Sequence, residues 1–464
     1  MPEFPSLGDA LAWLDSHQNL ERMVATVATG RTVPPDLARM RALMDVLGHP
    51  ERSAPVIHVT GTNGKTSTAR ILTSLLMAKG LRVGTFTSPH LSAINERIAA
   101  DGVPIDDASL EDLLSTLSEL EPLVVAALEQ ADSDGARNGP VRSRPTWFEL
   151  VAAAAFMYFA DRPVDAVVLE VGMGGRWDAT NVASASVVVV TNVGTDHLEF
   201  LGPTRAHVAA EKAGVIERSS VVVLGERSPE LIPIFEAEEP SQLWLVGRDY
   251  DCTSNQLAVG GRSLDLRTPA TSYEGVWLDL HGPHQGRNFA GALAAAEAFF
   301  DSPLDDKIVR EAAATVSSPG RMEVVRRSPL VVLDGAKNLE GAAAAAAAVA
   351  EEFGRTRSVV LVVGMLAGAA KQPVAMLEAL GVGSPAVRVR LVVACPAPSP
   401  RSVPAAEVAE AARTLGCEAV EAPDVPEALD MAFADAGDDD LVLVTGSLYV
   451  VGAARSALAV SADR

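Results

Sequence analysis

The 464 residues spell out an α/β protein in two unequal parts: a doubly wound, mostly parallel sheet domain, then a smaller α/β domain. Short, continuously apolar, β-branched runs recur, each closing on Gly, Asp or Thr, as strands buried on both faces of a parallel sheet do. Helical patterns alternate with those runs, which is how parallel strands are joined. The alternation breaks and restarts at SSPGRMEVV (317–325), whose Pro-Gly pair punctuates the chain.

In chain order, PVIHVTG (55–61), LRVGTFTS (81–88), DAVVLEVG (165–172) and ASVVVVTNVG (185–194) are expected strands. TSTARILTSLLMAKG (66–80) and WFELVAAAAFMYFAD (147–161) are helices between them. EQADSDGARNGPVRSR (129–144) is polar and aperiodic and reads as a mobile surface loop. Residues 220–280 hold shorter strand-like pieces among turn residues, a β-rich excursion from the first domain. After the helix NFAGALAAAEAFF (288–300), the runs LVVLDGA, SVVLVVGML, VRLVVACP and LVLVTGS supply a second, Rossmann-like series. The tract GAAAAAAAVAEEF (341–353) is low in complexity, but Ala is the best helix former, so a helix is expected. The domains are placed at 1–316 and 317–464.

A net charge of -22 argues against nucleic acid or an anionic membrane as partner, since both need a basic footprint. No window carries enough uninterrupted apolar sequence for a membrane span, and MPEFPSLGDALAWLD lacks the features of a signal peptide. A cytoplasmic location is expected. Cys252, Cys395 and Cys417 lie far apart with no C-x-x-C pair, which reads as buried free thiols rather than a zinc site or disulfides.

HVTGTNGKTSTAR (58–70) resembles a nucleotide loop with a piece missing. The common form, G-x-x-x-x-G-K-[ST], would put glycine at 59, where Val59 stands. What remains is a strand, then Gly61, Thr62, Asn63, Gly64, Lys65, Thr66 and Ser67, then a helix. Backbone N–H groups can there approach phosphates at a helix N-terminus, with Lys65 offsetting charge and the Thr66 hydroxyl within reach of Mg²⁺. That makes the first domain P-loop-type. TSPHL (87–91) offers Ser88 as a metal ligand or, taken alone, more naturally as a helix N-cap. Glu170 falls inside a buried strand, where a carboxylate is costly without a metal or cation. Asp196 and His197 close another strand. Ligands of open α/β sheets bind outside the carboxyl ends of strands, and Lys65, Ser88, Glu170 and His197 share four such ends. Oxygen and imidazole donors beside a triphosphate suit Mg²⁺. Lys212, in AEKAGV, is by itself only a surface cation.

The TGTNGKT loop resembles that of the Mur ligase superfamily, ATP-dependent enzymes that join an amine to a carboxylate. Within it, the chain resembles the folylpolyglutamate synthase/dihydrofolate synthase family. TSPHL, ERIAADGVPI, TWFELVAAAAF, LEVGMGGRWDATN, GTDHLEFLG, AEKAGV, HQGRN, SPGRMEVV and VTGSLYVVG follow in the expected order from roughly residue 10 to 455. The resemblance implies a monomer that adds L-glutamate to dihydropteroate, reduced folates or both, through an acyl phosphate. It implies ATP and two Mg²⁺, with Lys65, Glu170, His197 and Lys212 as catalytic residues. Thr66, Ser88, Glu170, His197 and Lys212 would surround the metals, Lys212 as a carbamate. Asn288 would lie beside the nucleotide, Arg321 would reach over from the second domain, and Asp334 would bind the ribose. Phe86, Trp147 and Phe148 are candidates for an aromatic pterin slot.

Two places depart from the family pattern. D-x-A-H-N reads Asp334-Gly335-Ala336-Lys337-Asn338, and an Asp-Lys-Asp cluster gives way to Ala367–Gln372. They motivate two alternatives: a paralog coupling another carboxylate to an amino acid, and a nucleotide-binding homologue without turnover.

Overall fold

The computed structural model describes residues 4–19, 21, 36–133, 144–196, 198–368 and 372–462. The larger sheet has eight strands: β1 (Val56–Thr60), β2 (Val83–Phe86), β3 (Ile98–Ala100), β4 (Val103–Pro104), β5 (Ala166–Glu170), β6 (Ala185–Val190), β7 (Val221–Leu224) and β8 (Gln242–Leu245). Their order is β4-β3-β2-β5-β1-β6-β7-β8. β1 runs parallel to β5 on one side and β6 on the other; only β3 and β4, at the edge, are antiparallel. Every residue of β1 and β5 is buried, because alternate side chains enter different layers. Ile57 and Val59 pack under the helices Lys65–Ala78 and His284–Phe300. Val56, Val167 and Leu169 face the opposite layer, which includes the helix Trp147–Asp161.

The β-rich stretch divides in two. β7 and β8 continue the parallel sheet. Only β9 (Asp251–Ala258), β10 (Gly261–Arg267) and β11 (Ser272–Leu278) form a separate antiparallel sheet, and its central strand β10 alternates from Arg262 onward between buried and half-buried residues, as a one-faced sheet does. The expected loop at 129–144 is also corrected at its start. Residues 129–133 complete the helix Asp107–Ser133, carried through polar sequence by the buried Val124 and Leu128 below them. Residues 134–143 lie outside the described residues.

The second sheet holds β12 (Glu323–Arg327), β13 (Leu330–Leu333), β14 (Val359–Val363), β15 (Val389–Ala394), β16 (Glu418–Glu421) and β17 (Leu441–Thr445). Their order is β12-β13-β17-β14-β15-β16, parallel except for β12. The alanine tract is the helix Leu339–Glu352, capped by Asn338, whose Oδ1 accepts the Gly341 N–H at 2.8 Å. Among the described residues no helix is long and apolar enough to cross a membrane. The three cysteines are free, but only Cys395 and Cys417 are fully buried; Cys252, on an edge strand of the small sheet, is partly exposed.

A buried ionic cluster ties the antiparallel sheet to the second domain. Arg262, on β10, is 1% exposed and donates to Glu352 at 2.6 Å and Glu351 at 2.8 Å. Glu352 also accepts the Gly282 N–H and pairs with His281, both at 2.7 Å. Removing one member of such a cluster strands the other charge. Arg262→Met is therefore expected to cost about 3 kcal/mol in urea denaturation. Glu351→Gln, at the exposed rim, should cost less than about 1 kcal/mol.

Candidate active site

The loop after β1 needs glycine at two positions. Gly61 has φ 145°, and a Cβ there would lie 1.8 Å from the Thr191 hydroxyl; Gly64 has φ 83°, and its Cβ would meet Asn288 Oδ1 at 2.5 Å. Val59 is still strand, paired in register with Glu170, so a glycine at 59 would serve no turn. The residues after β6 pin the loop. Thr62 and Asn63 N–H donate to Asn192 O and Oδ1, both at 3.1 Å, while Asn63 O accepts from Thr191 Oγ1 at 2.7 Å and Asn192 Nδ2 at 2.8 Å. Gly64 then caps the helix Lys65–Ala78 with no side chain over its first N–H groups. Those donors are open to an anion.

A cleft of about 890 Å³ opens over this terminus. Thr62 to Ser67 form one wall, Ser88 and Glu170 the floor, and Asn288 a side. Arg321 and Asp334 come across from the second domain. Glu170 is 1% exposed; its Oε1 accepts from the Thr66 hydroxyl at 2.9 Å and its Oε2 from the Ser88 N–H at 3.1 Å. Burial pushes its pKa up and the Lys65 charge pulls it down. No helix follows Ser88 directly, so the capping reading is corrected: its backbone serves Glu170. Asp334 accepts the N–H groups of Met322 and Ala336 at 3.0 Å each, and Asn288 donates to Gln285 at 2.9 Å.

Gly61 and Lys212 stand just behind the wall. Lys212 closes the helix Arg205–Ala213 and is 3% exposed, so it is not a surface cation. Its Nζ donates to Gly61 O at 2.8 Å, and Lys65 Nζ donates to the same carbonyl at 3.1 Å. Burial lowers the pKa of both amines, Lys212 well below 10.5, with the Lys65 charge acting on it in the same direction. His197 lies outside the described residues.

The donor set suits a hard cation. Among the described residues no three His, Cys, Asp or Glu side chains could together hold a metal. One carboxylate with the Thr66 and Ser88 hydroxyls beside a phosphate loop is the sparse oxygen set that Mg²⁺ accepts. His284, Glu340 and Leu448 also line the cleft and were not anticipated. His284 stands four residues before Asn288, one helical turn away on the same face, so that signal was available. Its Nδ1 is buried without a partner, and burial lowers its pKa to about 4.

A second cleft, of about 1250 Å³, shares Ser88, Pro89, Lys337 and Leu448 with the first. Phe148, Met173, Trp177 and Phe200 give it apolar walls; Arg39, Asp178, Arg401 and Tyr449 add polar groups. Of the three aromatic candidates only Phe148 faces it. Phe86 is buried behind Phe148 at 5.8 Å between ring centroids. Trp147 donates to Asp15 at 2.9 Å, under the Arg97 guanidinium. Lys337 lies 3.6 Å from Asp196 at the junction. Arg401 Nη2 donates to Ala367 O at 3.0 Å beside it; residues 369–371 lie outside the described residues.

Two family models match the chain: the Mur ligase middle domain over residues 109–296, and the Mur ligase, glutamate ligase domain over 320–448. The dihydrofolate synthase/folylpolyglutamate synthase of Bacillus subtilis (strain 168) is 33% identical over 433 residues, covering 92% of this chain and 95% of that one. The chain belongs to the dihydrofolate synthase/folylpolyglutamate synthase family. The Mycobacterium tuberculosis enzyme of that name is 44% identical over 334 residues, 69% of this chain and 67% of its own. The solved Mycobacterium tuberculosis folylpolyglutamate synthase complexed with ADP superposes with a TM-score of 0.86 at 37% identity, covering 98% of this chain and 99% of that one. The expected two-part α/β architecture is thus that of the dihydrofolate synthase/folylpolyglutamate synthase family.

The buried Lys212 has a measurable consequence for stability. Below 10.5 the unfolded chain binds a proton that the folded lysine resists, so stability is lost as pH falls from that value and recovered as it is approached. Lys212→Met should therefore unfold at a higher temperature than the unsubstituted chain in CO₂-free buffer at pH 7. The gap should narrow as pH rises toward 10.5.

Proposed function

We propose that this chain is a monomeric, cytoplasmic ATP-dependent ligase that adds L-glutamate to dihydropteroate, reduced folates or both, with no nucleic acid or membrane as partner. Its two domains divide at 316/317. The meeting of the two clefts carries this reading. A flat ring held among Phe148, Trp177 and Phe200 would extend its carboxylate to Ser88 and Lys337, where the phosphate cleft begins. Asp178, buried beside Trp177, is the acceptor that the N–H-bearing edge of a pterin requires.

In this reaction a carboxylate oxygen attacks the γ-phosphorus, ADP leaves, and an acyl phosphate forms. The glutamate amine then attacks the acyl carbon, loses a proton and expels phosphate. Thr66, Ser88, Glu170, His197 and a carbamate on Lys212 would hold two Mg²⁺, which when bound supply charge neutralisation. The neutral Lys212 amine is the form that attacks CO₂, turning a buried base into an anionic ligand. Lys65 exchanges its loop carbonyls for phosphate oxygens. Asn288 positions the nucleotide and Asp334 its ribose. Arg321 balances phosphate charge and, with the second domain, keeps water from the acyl phosphate. Family membership favours this reading over a protein without turnover or one using another carboxylate.

The test is glutamate-dependent ADP release in Mg²⁺ with dihydropteroate, tetrahydrofolate or no carboxylate. Stimulation by either substrate is expected; stimulation by neither overturns the reading. Lys212→Ala should lose about 100-fold in kcat and regain part of it with added short carboxylates. A fully active Lys212→Ala enzyme would remove the carbamate from the scheme.

A further inference from the structure

His58 occupies the middle of β1 and is completely buried among apolar residues. A core position of this kind is filled more cheaply by Val or Leu, because an imidazole must satisfy two nitrogens. His58 satisfies one. Its Nε2 lies 2.7 Å from Thr180 Oγ1, and Nδ1 has no hydrogen-bond partner. The Thr180 hydroxyl in turn lies 2.5 Å from Asp178 Oδ1.

The direction of this chain follows from counting protons. Asp178 Oδ1 accepts the Thr180 N–H at 3.1 Å and Oδ2 the Met173 N–H at 2.9 Å, so the carboxylate is an acceptor. The Thr180 hydroxyl must then give its only proton to Asp178 and receive one from His58 Nε2. That leaves Nδ1 as a bare lone pair, which is less costly to bury than an orphaned N–H. Burial lowers the His58 pKa to about 3, so the ring keeps a single proton. Oδ1 takes both Thr180 donors and Oδ2 the Met173 N–H, the Gly172 backbone adds a further donor, and the carboxylate so held lines the aromatic cleft.

We propose that His58 and Thr180 form a positioning relay that fixes the Asp178 carboxylate for recognition of the substrate's N–H-bearing ring edge. This rests on reading the aromatic cleft as the pterin site. His58 is thereby a positioning residue for one substrate, although it lies on the strand that leads into the loop for the other.

The two sites give the experiment its internal control. Dihydropteroate binding is measured by equilibrium fluorescence and ATP binding by calorimetry, on the full chain. His58→Leu should weaken dihydropteroate about tenfold and move ATP less than about twofold, the scale of one lost oriented hydrogen bond. His58→Gln, which returns an N–H near the Nε2 position, should restore most of the loss. Thr180→Val should match His58→Leu, Thr180→Ser should bind as the unsubstituted chain does, and the His58→Leu/Thr180→Val pair should be no weaker than either alone. Equal losses for both ligands, failure of His58→Gln to rescue, or additive losses in the pair would overturn the relay. Should the His58 variants not fold, Thr180→Val against Thr180→Ser decides alone. Failure of the unsubstituted chain to bind either dihydropteroate or tetrahydrofolate overturns the relay together with the pterin reading. Binding without ADP release overturns the proposed reaction and leaves the relay standing on the binding data.

Discussion

The site depends on the pinning of a four-residue turn, Gly61 to Gly64, against the end of β6. Thr191 and Asn192 hold the backbone of Asn63 from both sides. With the turn fixed, Lys65 and Thr66 open a helix whose first donors face the cleft. Thr66 then reaches Glu170 across β1, and the Gly61 carbonyl turns inward to meet two amines. That last contact stores the site's electrostatic problem. Two amines on one buried carbonyl disfavour each other's charge, and an anionic phosphate would relieve that repulsion.

The cleft is also shared between the domains. Ser318 lies 3.1 Å from Ser67, and Asn338 donates to Asn63 at 3.1 Å, so the second domain touches the loop itself. The buried Asp334 and the half-buried Arg321 feel each other's charge, and Arg321 that of Glu170 as well. The phosphate-loop cleft is thus complete only where both sheets contribute.

Much of this was legible in the sequence because it rests on short-range pattern. Continuous β-branched runs foretold β1, β2, β5 and β6, and the G-K-T sequence foretold the helix opening at Lys65. Glu170 stood out because a carboxylate inside LEVG is cut off from water and needs a partner. What escaped depends on contacts between distant segments. The aromatic cleft draws on residues from Glu21 to Tyr449, so no window of sequence shows that Phe148 faces it while its neighbour Trp147 turns to Asp15. Lys212 looks like any helix cation until the helix is docked. Residues 129–133 look like loop because the apolar grip holding them lies a turn earlier.

The helix Leu339–Glu352, about 21 Å long at 1.5 Å per residue, is fastened at both tips. Its leading tip touches the phosphate loop through Asn338 and receives Thr195 on Glu340; its trailing tip is gripped by Arg262 and His281. It works as a strut between the phosphate loop and the small antiparallel sheet. Any swing of the second domain must release one tip or pivot about it. A load applied at β10 is thus carried along one rigid element to the phosphate loop, a helix-length away.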